Sequence, residues 1–209
     1  MVSRWFTFLL LILVLIALTG EVAFIYWHER QPRENRFDPI IASVAREDGM
    51  DPFLIRALIW RESKFDPLTH GAADERGLMQ VTPDAGERWA KANKIPNFQA
   101  NDLFDPITNI RAGTWYLRRS MHLWEQVNVD DPIPFALAEY NAGRSNALKW
   151  VDPTAPTNHN AFLQNITFPL TRKYVDTILK QREVYRVNFA NSPSYRDFAA
   201  TLPPVTKTP

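Results

Sequence analysis

The chain has 209 residues, 24 Lys and Arg against 23 Asp and Glu, a net charge of +1, and no cysteine. That length suits one domain plus an appendage, and the missing cysteines exclude disulfides, thiol catalysis and a lipidated cysteine. Basic residues are scattered rather than massed, so no nucleic-acid footprint is present, and the 4 histidines, His28, His70, His122 and His159, lie too far apart for metal-ligand spacing. Glycines stand singly, without a phosphate-cradling loop, and neither a metal nor a cofactor is expected.

In chain order, the stretch from Trp5 to Trp27 is almost wholly apolar and is flanked by Trp5, Tyr26 and Trp27. Its length and aromatic ends predict a membrane-spanning helix, with Glu21 the one awkward residue. A secretory signal with an apolar core over Phe6 to Leu18 competes, but no Ala-x-Ala cleavage site follows, so a retained anchor is the preferred reading. Residues 28–37 read as a short charged linker.

Asp-Pro pairs then recur at 38, 51, 66, 105, 131 and 152, with Thr82-Pro83 similar, announcing helix starts by an N-cap and an N1 proline. Helices are predicted near 39–48, 52–64, 83–93, 106–126, 133–141 and 168–188, with Gly49 and Gly143 as stops. Only 66–80, rich in turn formers, leaves room for irregular or short extended structure. The expectation is a mainly α fold divided into an anchor and linker over 1–37, a catalytic domain over 38–190 and a loosely packed tail over 191–209.

Glu62 is the residue that carries chemistry. It falls in the last turn of the 52–64 helix, and positions three, four and seven back are Ile59, Leu58 and Ile55, so it prolongs an apolar stripe. Desolvation and the negative end of the helix dipole both disfavour its charged form, which raises its pKa toward the range where a neutral Glu donates a proton near pH 7. The alternative is an ordinary surface Glu beside Arg61 and Lys64.

Further clusters follow: Gly77-Leu78-Met79-Gln80 after a polar loop, Ala138-Glu139-Tyr140-Asn141-Ala142-Gly143 at a helix end, and Thr171-Arg172-Lys173-Tyr174-Val175 opening the last helix. Together with Glu62-Ser63 and Phe65, these ordered motifs resemble the SLT-domain lytic transglycosylases of the lysozyme-like superfamily, over roughly residues 38–185. Connecting pieces such as Asp48-Gly49-Met50-Asp51-Pro52 and Asn109-Ile110-Arg111-Ala112-Gly113-Thr114-Trp115-Tyr116-Leu117 extend the likeness.

The resemblance implies a lysozyme-like multi-helix domain that cleaves the MurNAc-β-1,4-GlcNAc bond of peptidoglycan with a single Glu, here Glu62, as general acid and then base. The muramoyl C6 hydroxyl closes on C1 to give a 1,6-anhydro ring, and no water is consumed. It implies a serine, Ser63, that orients the carboxyl. Met79 and Gln80 line the sugar site, Tyr140 approaches the Glu, Asn141 faces the sugar, and the last motif falls on Tyr174. Each also has a bland alternative as core, cap or satisfied polar residue. A substrate in the cell wall places the domain on the extracytoplasmic side of the membrane, with peptidoglycan strands and the membrane as partners and no nucleic acid; an envelope protein complex is a further possibility that no residue specifies.

Two departures from the family's usual pattern stand out. Asp74-Glu75-Arg76 precedes Gly77 where Gly-Ala-x is common, and Glu139 replaces a common alanine. Either Glu75 or Glu139 could position water and turn the enzyme into a hydrolytic muramidase, or both are solvated charges. A catalytically silent glycan-binding module is the alternative from another class.

Overall fold

The computed structural model describes residues 34–189 together with Trp5, Phe8, Leu9, 11–17 and Thr19. The chain divides into two compact units, Met1–Phe37 and Asp38–Pro209. In the first, residues 11–17 are helical with exposed side chains. Most of the expected membrane span, 5–27, lies outside the described residues, and among those described no helix is long and apolar enough to cross a membrane. The expected tail over 191–209 also lies outside them.

The second unit is built from α1 (Asp38–Asp48), α2 (Pro52–Ser63), α3 (Pro83–Ala92), a 3-10 turn (Ala100–Phe104), α4 (Pro106–Glu125), α5 (Pro132–Ala142), α6 (Arg144–Lys149), α7 (His159–Asn165) and α8 (Pro169–Phe189). The six predicted helices are present to within a residue or so at either end. The 3-10 turn, α6 and α7 were not predicted. They are too short to show a 3.6-residue period.

The caps explain where helices begin. Asp51 accepts from the Phe53 amide at 2.9 Å, Asp105 from Thr108 at 2.8 Å, Asp131 from Ile133 at 3.0 Å, and Thr82 from Ala85 at 3.3 Å, each with proline at the first turn. The same pair fails as a helix start at two positions. Asp66 caps a turn through the Leu68 amide and Asp152 caps another through the Thr154 amide, so Asp-Pro there bends the chain without nucleating a helix.

Helix α2 is the centre of the domain. Pro52 to Ile59 are all buried, Arg56 included, so the helix is enclosed on every side rather than along one stripe. Arg56 is ion-paired with Asp38 at the start of α1, and its guanidinium lies 5.3 Å from the Phe65 ring centre and 4.8 Å from that of Tyr185. A buried cation is thus paired and covered by aromatic faces, which is how such a charge is tolerated.

Helix α8 runs antiparallel beside α2. At one end Asp51, while capping α2 through Oδ1, receives Arg182 Nε of α8 on Oδ2 at 2.6 Å. At the other end Tyr174, early in α8, meets Glu62, late in α2. Behind them α4 packs on α1 and α5, and α5 on α8. A second apolar cluster joins α4, α5 and α7: Phe135 stacks on Phe162 at 4.0 Å and Trp124 lies 4.9 Å from Phe135. Among the described residues there is no strand; the 66–80 stretch contains only isolated antiparallel bridges, His70 with Arg76 and Arg76 with Val81.

That stretch is pinned by one buried side chain. Asn109, in the first turn of α4, accepts the Met79 amide on Oδ1 at 2.7 Å and donates through Nδ2 to the carbonyls of Arg76 and Leu103, both at 2.7 Å. Gly77 makes the approach possible. Its φ is +73°, and a Cβ there would stand 2.3 Å from the Leu103 carbonyl and 2.4 Å from Asn109 Nδ2. Replacing Asn109 by Ala strands three buried backbone groups. A loss of roughly 3 kcal/mol or more is expected in urea unfolding monitored by circular dichroism. A midpoint unchanged from the native chain would show that water or relaxation replaces those bonds.

Candidate active site

The site forms where α2 ends. Helix α2 stops because Lys64 takes a left-handed conformation, φ 54° and ψ 36°, with its amide bonded to the Trp60 carbonyl; Phe65 follows at φ 63°. The stop therefore lies ahead of the Asp66-Pro67 pair that the sequence suggested. Two successive non-glycine residues with positive φ are a local strain. Burial of Phe65, only 1% exposed, holds the second of them in place.

Glu62 occupies the last turn of α2 and is half-buried. The Tyr174 hydroxyl donates to its Oε1. Burial pushes the Glu62 carboxyl up from its ordinary 4.5 to about 7, against the Tyr174 bond and the nearby Arg61, which pull it down; Glu75 adds to the rise and Lys64 opposes it. Arg61 sits over the Tyr174 ring at 5.2 Å, so cation, phenol and carboxyl form one stack of interactions. Tyr174 is itself buried. Its phenol is pushed well above the ordinary value by desolvation and then by the Glu62 charge, so it remains a proton donor to the carboxyl.

Tyr140 lies on α5, and its hydroxyl donates to the Met79 carbonyl at 2.8 Å rather than to Glu62. It is near enough that the Glu62 charge adds to the effect of burial in raising its ionisation. Of the two tyrosines, then, the one in the last motif is in contact with the carboxyl, and Tyr140 braces the Gly77–Gln80 loop. Tyr116 packs edge-on against Tyr140 at 5.7 Å.

Met79 is fully buried behind this loop, its side chain pressed against Gly113 of α4, where a Cβ would come within 2.7 Å of its Cβ and Sδ. Thr114 Oγ1 lies 3.8 Å from the same sulfur. Gln80, at φ 48°, uses both amide hydrogens inside the loop, on the carbonyls of Thr69 at 3.0 Å and Gly77 at 2.9 Å. Its role in this geometry is to close the loop; its Oε1 stays on the Gly71 side.

Ser63 and Asn141 stand apart from the carboxyl. The buried Ser63 hydroxyl donates back to the Ile59 carbonyl at 3.2 Å, a helix-end bond that leaves it no orienting contact with Glu62. Asn141 is exposed and receives the Thr171 hydroxyl of α8 on Oδ1 at 2.7 Å. Thr171 and Tyr174 are three residues apart, so α8 offers both from one face.

The two extra acids have different fates. Glu139 is buried and its Oε2 is held by Trp124 Nε1 at 2.9 Å and by Arg144 at 2.8 Å, which makes it a strut between α4, α5 and α6. Glu75 stays within electrostatic reach of Glu62. Asn109, Gly113 and Thr171 stand in motifs that the sequence analysis quoted without giving these residues a role. An Asn on the buried face that also carries Gly113, Leu117 and Trp124 was the available signal.

Residues 33–162 match the family model for the Transglycosylase SLT domain. Among sequence relatives, the membrane-bound lytic murein transglycosylase F of Desulfosudis oleivorans is 36% identical over 121 residues, 56% of this chain and 24% of that protein. The soluble lytic murein transglycosylase of Escherichia coli K12 is 31% identical over 140 residues, 66% of this chain and 21% of that one. The chain thus matches about a fifth to a quarter of the length of these relatives. In three dimensions it is similar to an inactive glutamate-to-glutamine mutant of the lytic transglycosylase Slt from Pseudomonas aeruginosa, with TM-score 0.65, 26% identity, and 73% of this chain and 24% of that one covered. The 70 kDa soluble lytic transglycosylase of Escherichia coli gives the same TM-score of 0.65 at 25% identity, covering 76% and 25%. With its motifs, mainly α fold and matched span in agreement, the chain belongs to the Transglycosylase SLT domain family.

Proposed function

We propose that this protein is a peptidoglycan lytic transglycosylase in which Glu62 is the sole general acid and base. The observation that carries the reading is a half-buried carboxyl at the end of an enclosed helix, held near pH 7 and gripped by a neutral phenol. Its fold neighbour from Pseudomonas aeruginosa, inactive as a glutamate-to-glutamine mutant, fits the same chemistry.

Protonated Glu62 gives its hydrogen to the glycosidic oxygen as the bond from C1 of MurNAc to O4 of GlcNAc breaks. The carboxylate then takes the proton of the muramoyl C6 hydroxyl while O6 bonds to C1, closing the 1,6-anhydro ring. Glu62 ends the cycle protonated, and water is neither added nor lost. Tyr174 fixes the carboxyl and gives up part of its hydrogen bonding as the proton returns. Tyr140, within electrostatic reach of Glu62, is held in place by its bond to the Met79 carbonyl. Ser63, Gln80 and Asn141 contribute to the site through the bonds that fix their own segments, with Asn141 the exposed group on the sugar side.

From the sequence alone we propose that residues 5–27 are a membrane anchor, 38–190 the catalytic domain and 191–209 a tail, with the domain on the extracytoplasmic side where peptidoglycan lies.

Mass spectrometry of muropeptides released from purified peptidoglycan tests the chemistry. Products one water lighter than their hydrolytic counterparts are expected from the native chain, and a loss of at least about a thousandfold from Glu62→Gln. Reducing ends would identify a hydrolase, and binding without release a silent module.

The alkaline limb of the pH profile gives a second test. Because Glu62 must carry a proton to begin the cycle, turnover falls as pH rises through about 7. Tyr174→Phe removes a bond that favours the carboxylate, so this limb moves to higher pH while kcat drops through loss of positioning. A limb that moves down would refute the assigned donor.

The same shift has a stability consequence. A carboxyl whose folded pKa is raised contributes fully below its unfolded value near 4.5, and that contribution is lost as pH rises through about 7. Glu62→Gln should therefore flatten the decline of Tm between pH 5 and 8. An equal decline in native and mutant chains would assign it to other groups.

A further inference from the structure

Thr171 is the third residue of α8 and is buried, only 3% exposed. A hydroxyl late in a helix can bond back to the carbonyl four residues earlier, as Ser63 does to Ile59 at 3.2 Å. Thr171 has no helical turn behind it. Its one proton instead crosses to α5, where Asn141 Oδ1 receives it at 2.7 Å. Asn141 is exposed and stands in the last turn of α5, next to Tyr140. A surface carboxamide can exchange its oxygen and nitrogen by a half-turn about its last torsion. A hydroxyl proton aimed at it from a buried residue fixes the choice: the oxygen faces α8 and the NH2 faces away from it. Among the described residues, no hydrogen bond occupies Asn141 Nδ2.

Helix α8 also sets where this amide lies. Tyr174 follows Thr171 by three residues, about 4.5 Å along the axis, and the two lie on one face of the helix. Both side chains are buried. Tyr174 bonds Glu62 and Thr171 bonds Asn141, so less than one turn of α8 separates the contact that holds the acid from the contact that holds the amide. From α5 the neighbouring Tyr140 bonds the Met79 carbonyl at 2.8 Å, which ties the same helix end to the Gly77–Gln80 loop. Two oriented N–H groups without an acceptor of their own suit an oxygen that only accepts. On a strand of N-acetylated sugars the acetamido carbonyl is such an oxygen, whereas hydroxyls both donate and accept.

We propose that Thr171 is a positioning residue of this site: by holding Asn141 Oδ1 it presents the Asn141 NH2 as a fixed donor to the acetamido carbonyl of a sugar bound beside Glu62. The proposal rests on the chain binding peptidoglycan strands, and it goes beyond that reading by naming the group on the sugar and the residue that aims the donor at it. Thr171 does not itself touch the sugar. Its loss strands nothing, because Asn141 is exposed and water can take the place of the hydroxyl on Oδ1.

Thr171→Val removes the hydroxyl at nearly constant shape, and Thr171→Ser keeps it. Binding is measured in the full chain carrying Glu62→Gln, so that strands are held without being cut. Soluble uncross-linked peptidoglycan strands are titrated in, and in parallel the same strands after chemical removal of their acetyl groups, with amide NMR following the protein and the Asn141 side chain. Thr171→Val is expected to weaken binding of the native strands about fivefold, while binding of the de-N-acetylated strands stays as in the Thr171 parent. Thr171→Ser is expected to bind native strands as the parent does. Unchanged binding of native strands by a folded Thr171→Val protein overturns the proposal. Equal weakening for both kinds of strand also overturns it, since that is the mark of a merely structural role. Native strands that fail to bind the Thr171 parent refute the functional reading, and the inference with it, whereas strands that bind without the acetyl-dependent loss refute the inference alone.

Discussion

Much of the site hangs on the carboxamide of Asn109. One buried side chain holds the Met79 amide and the Arg76 and Leu103 carbonyls, and so fixes the loop whose ends carry Glu75 and Gln80. The consequences propagate by contact. With Met79 fixed, its carbonyl is placed for the Tyr140 hydroxyl, and its side chain fills the space left by Gly113. Tyr140 is thereby held within electrostatic reach of Glu62. A loop of polar and turn-forming residues has little apolar area of its own, so its order must come from satisfied backbone groups rather than from burial.

The second constraint is the antiparallel pairing of α2 with α8. Asp51 acts twice, as the N-cap of α2 and as the partner of Arg182, which fixes the register of the two helices at one end. Register at that end determines what meets at the other. Tyr174 is thereby brought to Glu62, more than a hundred residues away in sequence. The pKa of the acid is a balance of these placements: enclosure of α2 raises it, while the phenol and Arg61 restrain the rise. Burial alone would make the carboxyl a weaker acid; the phenol, by favouring the carboxylate, makes the proton easier to give up.

The long helices were legible because their signals are local. Asp-Pro and Thr-Pro caps combine a side-chain acceptor with a pre-set φ, and the apolar spacing of α2, α4 and α8 repeats often enough to be read. The signal was ambiguous where the same dipeptide serves two ends: Asp66-Pro67 and Asp152-Pro153 satisfy their Asp side chains in turns. Glu62 was legible as a perturbed acid, although the stripe argument understated its setting, since α2 is enclosed on all sides. The partners were harder. Ser63 sits next to Glu62 in sequence but bonds its own helix, whereas Tyr174 lies far away and bonds the carboxyl. Sequence proximity carries little information about which hydroxyl a helix-end carboxyl meets, because helix register decides it.

Glu75 and Glu139 illustrate the same limit for charge. Both read in sequence as acids placed where the family commonly has small residues. Glu139 is buried, and burial forces a carboxylate to find donors; Trp124 and Arg144 supply them, and its charge is spent on holding three helices together. Glu75 lies on a loop whose cation, Arg76, is drawn off by Asp74. Its charge is held in place by one backbone amide, which orients the carboxylate without cancelling it. An unpaired charge retained at a fixed position is an electrostatic cost to the fold and acts on every ionisation within reach. Glu75 adds to the rise of the Glu62 carboxyl, for which burial is the larger cause.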